Sequence, residues 1–188
     1  MSFQEYWSSI YDLNEKLNST MFEYWKQYSY FDTWQFWYIV FLLVAPLIIL
    51  YFSVDRSRIF EILFYGFSVN LLWTYADTIV GSTSFFVHHY FLIPLLPSAL
   101  SLNSAVLPVG YMLVYQYCTN HKKNYFLYIA VLSAIFAFGF ATLEEYMGLV
   151  SFNKGMNQFY VFLVDIGIVS IAYWLTRFVL RLRTSDQD

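Results

Sequence analysis

Four carboxylates lie within or at the ends of apolar, membrane-length segments of this chain: Asp77, Glu144, Glu145 and Asp165. No Lys or Arg lies near them in the sequence. A carboxylate in hydrocarbon is costly, and such groups usually face a bundle interior, a water-filled cavity or a partner. The missing basic partner therefore predicts a site where protons, a charged histidine, a metal ion or a cationic substrate compensates the negative charge.

Further polar residues extend this predicted site. Asn70 shares a helical face with Asp77, because residues three or four positions apart lie on the same side of a helix. At 1.5 Å per residue, Asp77, Glu144 and Asp165 all lie in the outer third of the membrane. Asn103 lies in the third apolar run. We expect one outward-facing acidic pocket with Asn103 and Asp165 at its inner end.

The adjacent Glu144 and Glu145 flank a stripe of small residues on the fourth apolar run. Such a stripe lets helix backbones approach closely, and it consists of Ala130, Ala134, Ala137, Ala141 and Gly148. At 100° per residue the two glutamates straddle the stripe. Both are therefore expected to point toward neighbouring helices.

Two adjacent histidines, His88 and His89, fall in the short outer segment between the second and third runs. Imidazole and carboxylate groups bind zinc, iron or manganese. A divalent metal held by His88 or His89 is therefore one hypothesis. The other interpretation is that both histidines are ordinary interfacial residues and that the carboxylates mark the ends of the spans.

Composition places the chain among membrane proteins. It has 188 residues, of which 59% are hydrophobic and only 12% are charged, against about 25% charged in soluble domains. Five apolar runs can each cross a bilayer core of about 30 Å: residues 34–54, 59–80, 91–117, 125–148 and 156–180. The predicted fold class is an all-α polytopic membrane protein. Pro94, Pro97 and Pro108 make the third run the least regular.

Basic residues alternate with the apolar runs and predict the orientation. Seven fall on one side of a five-span arrangement: Arg56, Arg58, Lys122, Lys123, Arg177, Arg181 and Arg183. The positive-inside rule then places the C-terminus in the cytoplasm and the N-terminus outside. The predicted domains are an extracytoplasmic arm (1–33), a five-helix transmembrane domain (34–183) and a cytoplasmic tail (184–188).

The N-terminal arm carries apolar residues at three- and four-residue steps, from Phe3 to Tyr28. This spacing predicts an amphipathic helix, which lies on the outer surface, caps the bundle or binds a partner. Asn18 begins a glycosylation acceptor that matters only in a eukaryotic secretory pathway. Aromatic residues that flank the runs, Tyr38 and Tyr115 among them, are interpreted as interfacial anchors.

Three segments carry a resemblance to a known family: NLLWTYADTI (70–79), PVGYMLVYQY (108–117) and FATLEEYMGL (140–149). Together they resemble an uncharacterised family of small five-span membrane proteins from spore-forming Gram-positive bacteria. The resemblance covers residues 34–183 and implies a multi-pass protein of the bacterial plasma membrane, without a known activity.

The Glu144–Glu145 pair is also similar to that of the abortive-infection and CAAX-processing intramembrane proteases. That family has an Arg four residues after the second Glu, where this chain has Leu149. Its histidines on later helices are missing too, because no His follows His121. These departures argue against a protease of that family.

Three function classes follow. The first is a protein that handles a cation, a proton or a small solute through the outer pocket, working as a homo-oligomer. The second is a metal-dependent membrane enzyme acting on lipid-like substrates at the outer leaflet, with acid–base groups but no GxSxG or HExxH motif. The third is an assembly subunit whose arm contacts a membrane protein partner. A net charge of −3 without a basic face excludes nucleic acid as a partner.

Overall fold

The computed structural model describes residues 2–94 and 100–185, with side chains described as far as residue 182. Its helices are α1 (Phe3–Tyr28), α2 (Trp34–Ser53), α3 (Ile59–Ser82), α4 (Leu107–Asn120), α5 (Tyr125–Ala134), α6 (Ala141–Tyr146) and α7 (Gln158–Ser185). A 3-10 turn at Arg56–Arg58 leads into α3. One π segment, Leu102–Val106, precedes α4, and another, Ile135–Phe140, joins α5 to α6. The predicted all-α class is confirmed.

Four helical segments are long and apolar enough to cross a membrane, as expected for a multi-pass membrane protein: Trp34–Ser53, Arg56–Ser82, Tyr125–Tyr146 and Gln158–Leu182. The predicted third span, 91–117, is not among the segments that qualify in the described part of the chain. Residues 89–93 are not helical, and Pro108 lies in the first turn of α4. Pro97 and residues 186–188 of the predicted tail lie outside the described residues.

Large apolar side chains cover the outside of the bundle. Phe60 is 87% exposed and Phe52 is 78% exposed, although water-soluble proteins rarely expose large contiguous apolar patches. The interior is comparatively polar, because Tyr65, Tyr111 and Tyr115 are fully buried there. This distribution suits a bundle that is surrounded by hydrocarbon.

Basic side chains form hydrogen bonds at both ends of α3. At one end Arg58, at the start of α3, donates to Thr119 Oγ1 and to Asn120 Oδ1 at the end of α4. The helices α3 and α4 therefore run antiparallel. At the opposite end Lys154 Nζ donates to the carbonyl of Thr83, at the C-cap of α3. We call the Arg58 end the basic end.

A short antiparallel sheet closes the end opposite the basic end. Strand β1 (Phe86–His88) follows α3, and strand β2 (Val150–Phe152) follows α6. Val87 pairs with Ser151, and the ring of Phe86 stacks on that of Phe152 at 4.8 Å between centroids. The sequence interpretation contained no strands. The sheet ties two inter-helix loops together and fixes the position of His88.

The predicted N-terminal helix is present as α1. It begins with a capping box, in which Ser2 and Glu5 satisfy each other's backbone N–H groups. None of its residues is buried, and most of them are exposed. Its C-terminal end is attached to the bundle because Tyr24 stacks on Phe91 and Ser29 Oγ accepts the Phe91 N–H at 3.0 Å.

Candidate functional site

Three carboxylates from three helices line one cavity inside the bundle. Asp77 of α3 is 6% exposed, Glu144 of α6 is 4% exposed and Asp165 of α7 is 0% exposed. His88 and Asn103 line the same cavity, which we call the acidic cavity. It has about 40 Å³ of room for water. Because one water needs roughly 10–15 Å³ of such space, this volume suits a few waters or one small ion.

Asp165 lies deepest in the acidic cavity. The indole Nε1–H of Trp73 donates to its Oδ1 at 3.0 Å. Its Oδ2 is buried and has no hydrogen-bond partner among the described residues. The hydroxyl of Tyr111 faces Asp165, but its 2.7 Å hydrogen bond is with Ser133 Oγ. Asp165 therefore retains an acceptor atom for a bound proton, water or cation.

His88 and Asp77 form a close pair on the hairpin side of the cavity. The distance between His88 Nε2 and Asp77 Oδ1 is 3.3 Å, and each side chain is 7% exposed. The geometry falls outside that of a hydrogen bond, so Nε2 counts among the unpartnered buried atoms. His88 also interacts electrostatically with Glu144. A single imidazole therefore interacts with two carboxylates, those of Asp77 and Glu144.

Glu144 lies between the acidic cavity and a second, smaller cavity. The Tyr38 hydroxyl of α2 donates to Glu144 Oε1 at 3.4 Å. Glu144 and His88 also line the second cavity, of about 20 Å³, together with Tyr38, Tyr90 and Ser101. The two side chains thus line both water-sized spaces.

Both π segments lie against the acidic cavity. Leu102–Val106 contributes Asn103, and Ile135–Phe140 contributes Phe136 and Phe140. Asn103 is buried with its side-chain Nδ2 unpartnered, while its carbonyl accepts from Asn70 Nδ2 at 2.8 Å. Asn70 therefore does not line the cavity. Its side chain instead hydrogen-bonds the backbone of the π segment Leu102–Val106, which does line it. Such π turns inside helices are frequent at functional sites.

Two further predicted site residues lie outside the acidic cavity. The prediction that Glu145 lines the pocket together with Glu144 is wrong, because Glu145 is exposed and accepts a 2.6 Å hydrogen bond from Gln158 Nε2 at the start of the neighbouring helix α7. Because neighbouring helical residues diverge by about 100°, only Glu144 enters the interior. His89 follows β1, where successive side chains alternate in direction. Its backbone N–H donates to the Leu149 carbonyl, and its side chain does not line the cavity.

The predicted divalent metal site lacks a ligand set. Within residues 2–94 and 100–185, no group of three or more His, Cys, Asp or Glu side chains is close enough to hold a metal ion. His88 and Asp77 approach each other, but His89 does not join them. A metal bound by His88 and His89 therefore finds no support in this geometry.

Tyrosines are the site residues that the sequence interpretation missed. Tyr38 and Tyr115 were interpreted as interfacial anchors, yet Tyr38 bonds Glu144 and Tyr115 is fully buried. Tyr111, four residues before Tyr115, is fully buried beside Asp165. The spacing of Tyr111, Tyr115 and Cys118 on one face of α4 is the signal that could have identified this buried row.

Acidic groups outnumber basic groups in the lining of the acidic cavity. Its lining includes three carboxylates and one imidazole, and no Lys or Arg is among the described residues that line it. Isolated charges in a low-dielectric interior are costly unless a partner compensates them.

Comparison of the chain with protein-family models, curated proteins and solved structures finds no match.

Proposed function

We propose that this chain is a multi-pass membrane protein that takes up a proton or a small cation from the outer face into the acidic cavity. One observation carries the proposal: Asp165 is fully buried with Oδ2 unpartnered among the described residues, in the same cavity as Asp77 and Glu144. A buried, incompletely bonded carboxylate beside two others needs positive charge. The small volume favours a proton, a hydrated proton or one small cation.

The proposed topology has five spans, with the N-terminus outside and the C-terminus in the cytoplasm. The π segment and α4 together cover residues 102–120 and rise about 28 Å along the helix axis. They run antiparallel to α3, as a fifth crossing would. With the basic end in the cytoplasm, the acidic cavity lies near the outer surface of a plasma membrane.

Infrared difference spectroscopy on purified protein tests the proposal. Protonated carboxyl groups give a C=O stretching band that ionised groups lack, so a pH titration follows proton uptake directly. We expect a titrating band that is lost in Asp165→Asn, which keeps an acceptor for Trp73. Repeating the titration with sodium or potassium shows whether either cation competes with the proton.

The matched control is Glu145→Gln, because Glu145 is adjacent to Glu144 yet exposed. We expect its buried-carboxyl band to match that of the wild type. An unchanged band in Asp165→Asn, with no effect of either cation, would contradict the proposal.

An assembly role is a second candidate, supported by the exposed apolar and aromatic surface of α1. Phe3, Tyr11 and Leu13 are all more than half exposed, and none of the residues of α1 is buried. In this case the helix binds a membrane protein partner or a second copy of the chain. Mild solubilisation would then co-purify the partner, and deletion of residues 2–28 would release it.

A further inference from the structure

A row of buried hydroxyl groups extends from the acidic cavity to the basic end. Its members are Tyr111, Ser133, Tyr125, Tyr65 and Tyr115, and it ends at Glu61. Each tyrosine of the row is 5% exposed or less. A buried phenol is usually hydrogen-bonded. The hydrogen-bond partner of each hydroxyl therefore gives the order of the groups along the row.

The row begins at Asp165. The Tyr111 hydroxyl faces this carboxylate and is hydrogen-bonded to Ser133 Oγ at 2.7 Å, and either oxygen can be the donor. Tyr111 also interacts electrostatically with Tyr125. The first hydroxyl pair therefore lies between the acidic cavity and the middle of the bundle.

The middle of the row is a second hydroxyl pair. Tyr65 and Tyr125 are 2.7 Å apart at their hydroxyl oxygens, and Tyr125 donates to the carbonyl of Val169 at 3.0 Å, outside the row, which leaves Tyr65 as the donor within the pair. The Tyr65 ring stacks on that of Tyr115, with 4.5 Å between centroids and 14° between planes. Stacking fixes the rings, whereas a phenol hydroxyl that breaks its hydrogen bond can turn about its C–O bond.

The row ends at the basic end. The Tyr115 hydroxyl donates to Glu61 Oε1 at 2.6 Å. Glu61 is paired with Arg58, whose side chain is 26% exposed. A proton that reaches Glu61 is therefore beside a group that contacts water.

We propose that the protein conducts protons across the membrane along this row, which deepens the proposed function and rests on it. Each hydroxyl both donates and accepts, so it can pass its own proton to the next oxygen and receive another from the previous one. One proton enters at Asp165 and one leaves at Glu61. Every hydroxyl is restored, and no electron is transferred.

The same geometry selects protons over other cations. The Tyr111–Ser133, Tyr65–Tyr125 and Tyr115–Glu61 pairs are separate, and a proton crosses between them by rotation of a hydroxyl or through a single water. The tyrosines of the row are 5% exposed or less, and none of them lines the cavities described above, so a hydrated sodium or potassium ion has no open channel along the row. Arg177, which interacts with Glu61, further repels a free cation at the basic end.

Proton flux into liposomes that contain the purified full-length chain tests the route. A potassium diffusion potential drives the flux, and a trapped pH-sensitive dye reports it. Tyr65→Phe and Tyr115→Phe remove one hydroxyl each and keep the stacked rings. We expect each to lower the flux about tenfold or more, as for a barrier raised by one such step.

Tyr173→Phe is the matched control. Tyr173 stacks on Tyr125 at 4.3 Å between centroids, but its hydroxyl makes no hydrogen bond with the described residues. We expect its flux to equal that of the wild type. A melting temperature for each variant establishes that it is folded, and Tyr125→Phe replaces either variant that is not.

The outcomes separate this proposal from the proposed function. If the wild-type protein gives no more flux than protein-free liposomes, proton conduction is overturned. If the infrared band of Asp165 still titrates in that case, the proposal of a binding site stands. If folded Tyr65→Phe and Tyr115→Phe both conduct protons as fast as the wild type, the proposed route is overturned. An Asp165→Asn variant that both titrates and conducts as the wild type overturns the binding site itself.

Discussion

Trp73 on α3 donates its indole N–H to the carboxylate of Asp165 on α7, with 3.0 Å between Nε1 and Oδ1. Both side chains are buried, and both line the acidic cavity. The bond joins two helices that are long and apolar enough to cross a membrane, at the deepest point of the cavity. One contact therefore contributes both to the packing of α3 on α7 and to the chemistry of the cavity.

Replacing Trp73 with Phe is expected to destabilise the protein. The substitution keeps an aromatic ring but leaves Asp165 Oδ1 without its donor, and a buried group that loses its partner costs about 1–3 kcal/mol. A melting temperature measured in detergent should fall accordingly. Trp34→Phe is the control because Trp34 is 54% exposed, and equal melting temperatures for the two variants would contradict this role of the bond.

Gly110 allows α4 to pack against the π segment Ile135–Phe140. A Cβ at Gly110 would lie 2.8 Å from Cζ of Phe136, a ring that lines the acidic cavity. We expect Gly110→Ala to destabilise the protein by about 1–3 kcal/mol through overpacking. Gly167→Ala on α7 is the control, because a Cβ at that position would meet no described atom within 4 Å. Chemical unfolding in mixed micelles would show whether only the first variant loses stability.

His89 is expected to make stability depend on pH. Burial lowers the pKa of His89 below its ordinary value of 6.5, and the neighbouring His88 lowers it further. The unfolded chain therefore binds a proton at a higher pH than the folded chain does. Stability from this residue is complete above about pH 6.5 and is lost as the pH falls toward the lower, folded-state pKa.

The melting temperature of His89→Gln should therefore fall less between pH 8 and pH 5 than that of the wild type. His121→Gln, at an exposed imidazole near the basic end, is the control and should follow the wild type. Parallel pH profiles for wild type and His89→Gln would show that His89 does not contribute.

The helices could be predicted because their signals are local. Long apolar runs identified four crossing segments, and polar caps mark where two of them begin. Thr33 accepts the Phe36 N–H before α2, and Asn124 accepts the Leu127 N–H before α5. The π segments and the three-residue strands have no comparable signal. Strands of that length are too short for an alternating pattern to be recognised.

Which residues line the acidic cavity could be predicted only in part, because this depends on contacts between residues that are far apart in the sequence. The periodicity of α6 places Glu144 and Glu145 on opposite sides of a stripe but does not say which side faces the interior. Tyr38 resembles an interfacial aromatic until its partner Glu144, 106 residues away, is known. Depth along a helix follows from residue counts, whereas the identity of the neighbouring helix comes from tertiary packing.

The five-span topology predicts which loops face the outside of the cell. Asn153 lies in the loop before α7 and Lys123 in the loop before α5, and both are exposed. The only cysteine, Cys118, is buried, so Cys118→Ser gives a background without reactive thiols. In that background a membrane-impermeant maleimide added to intact cells should label Asn153→Cys, whereas Lys123→Cys should react only after the membrane is opened. Labelling of both from outside would contradict the topology.

The reverse pattern, in which only Lys123→Cys is labelled from outside, would place the basic end outside and the acidic cavity toward the cytoplasm. This is the opposite of the orientation given by the positive-inside rule, and the direction of proton entry would then reverse.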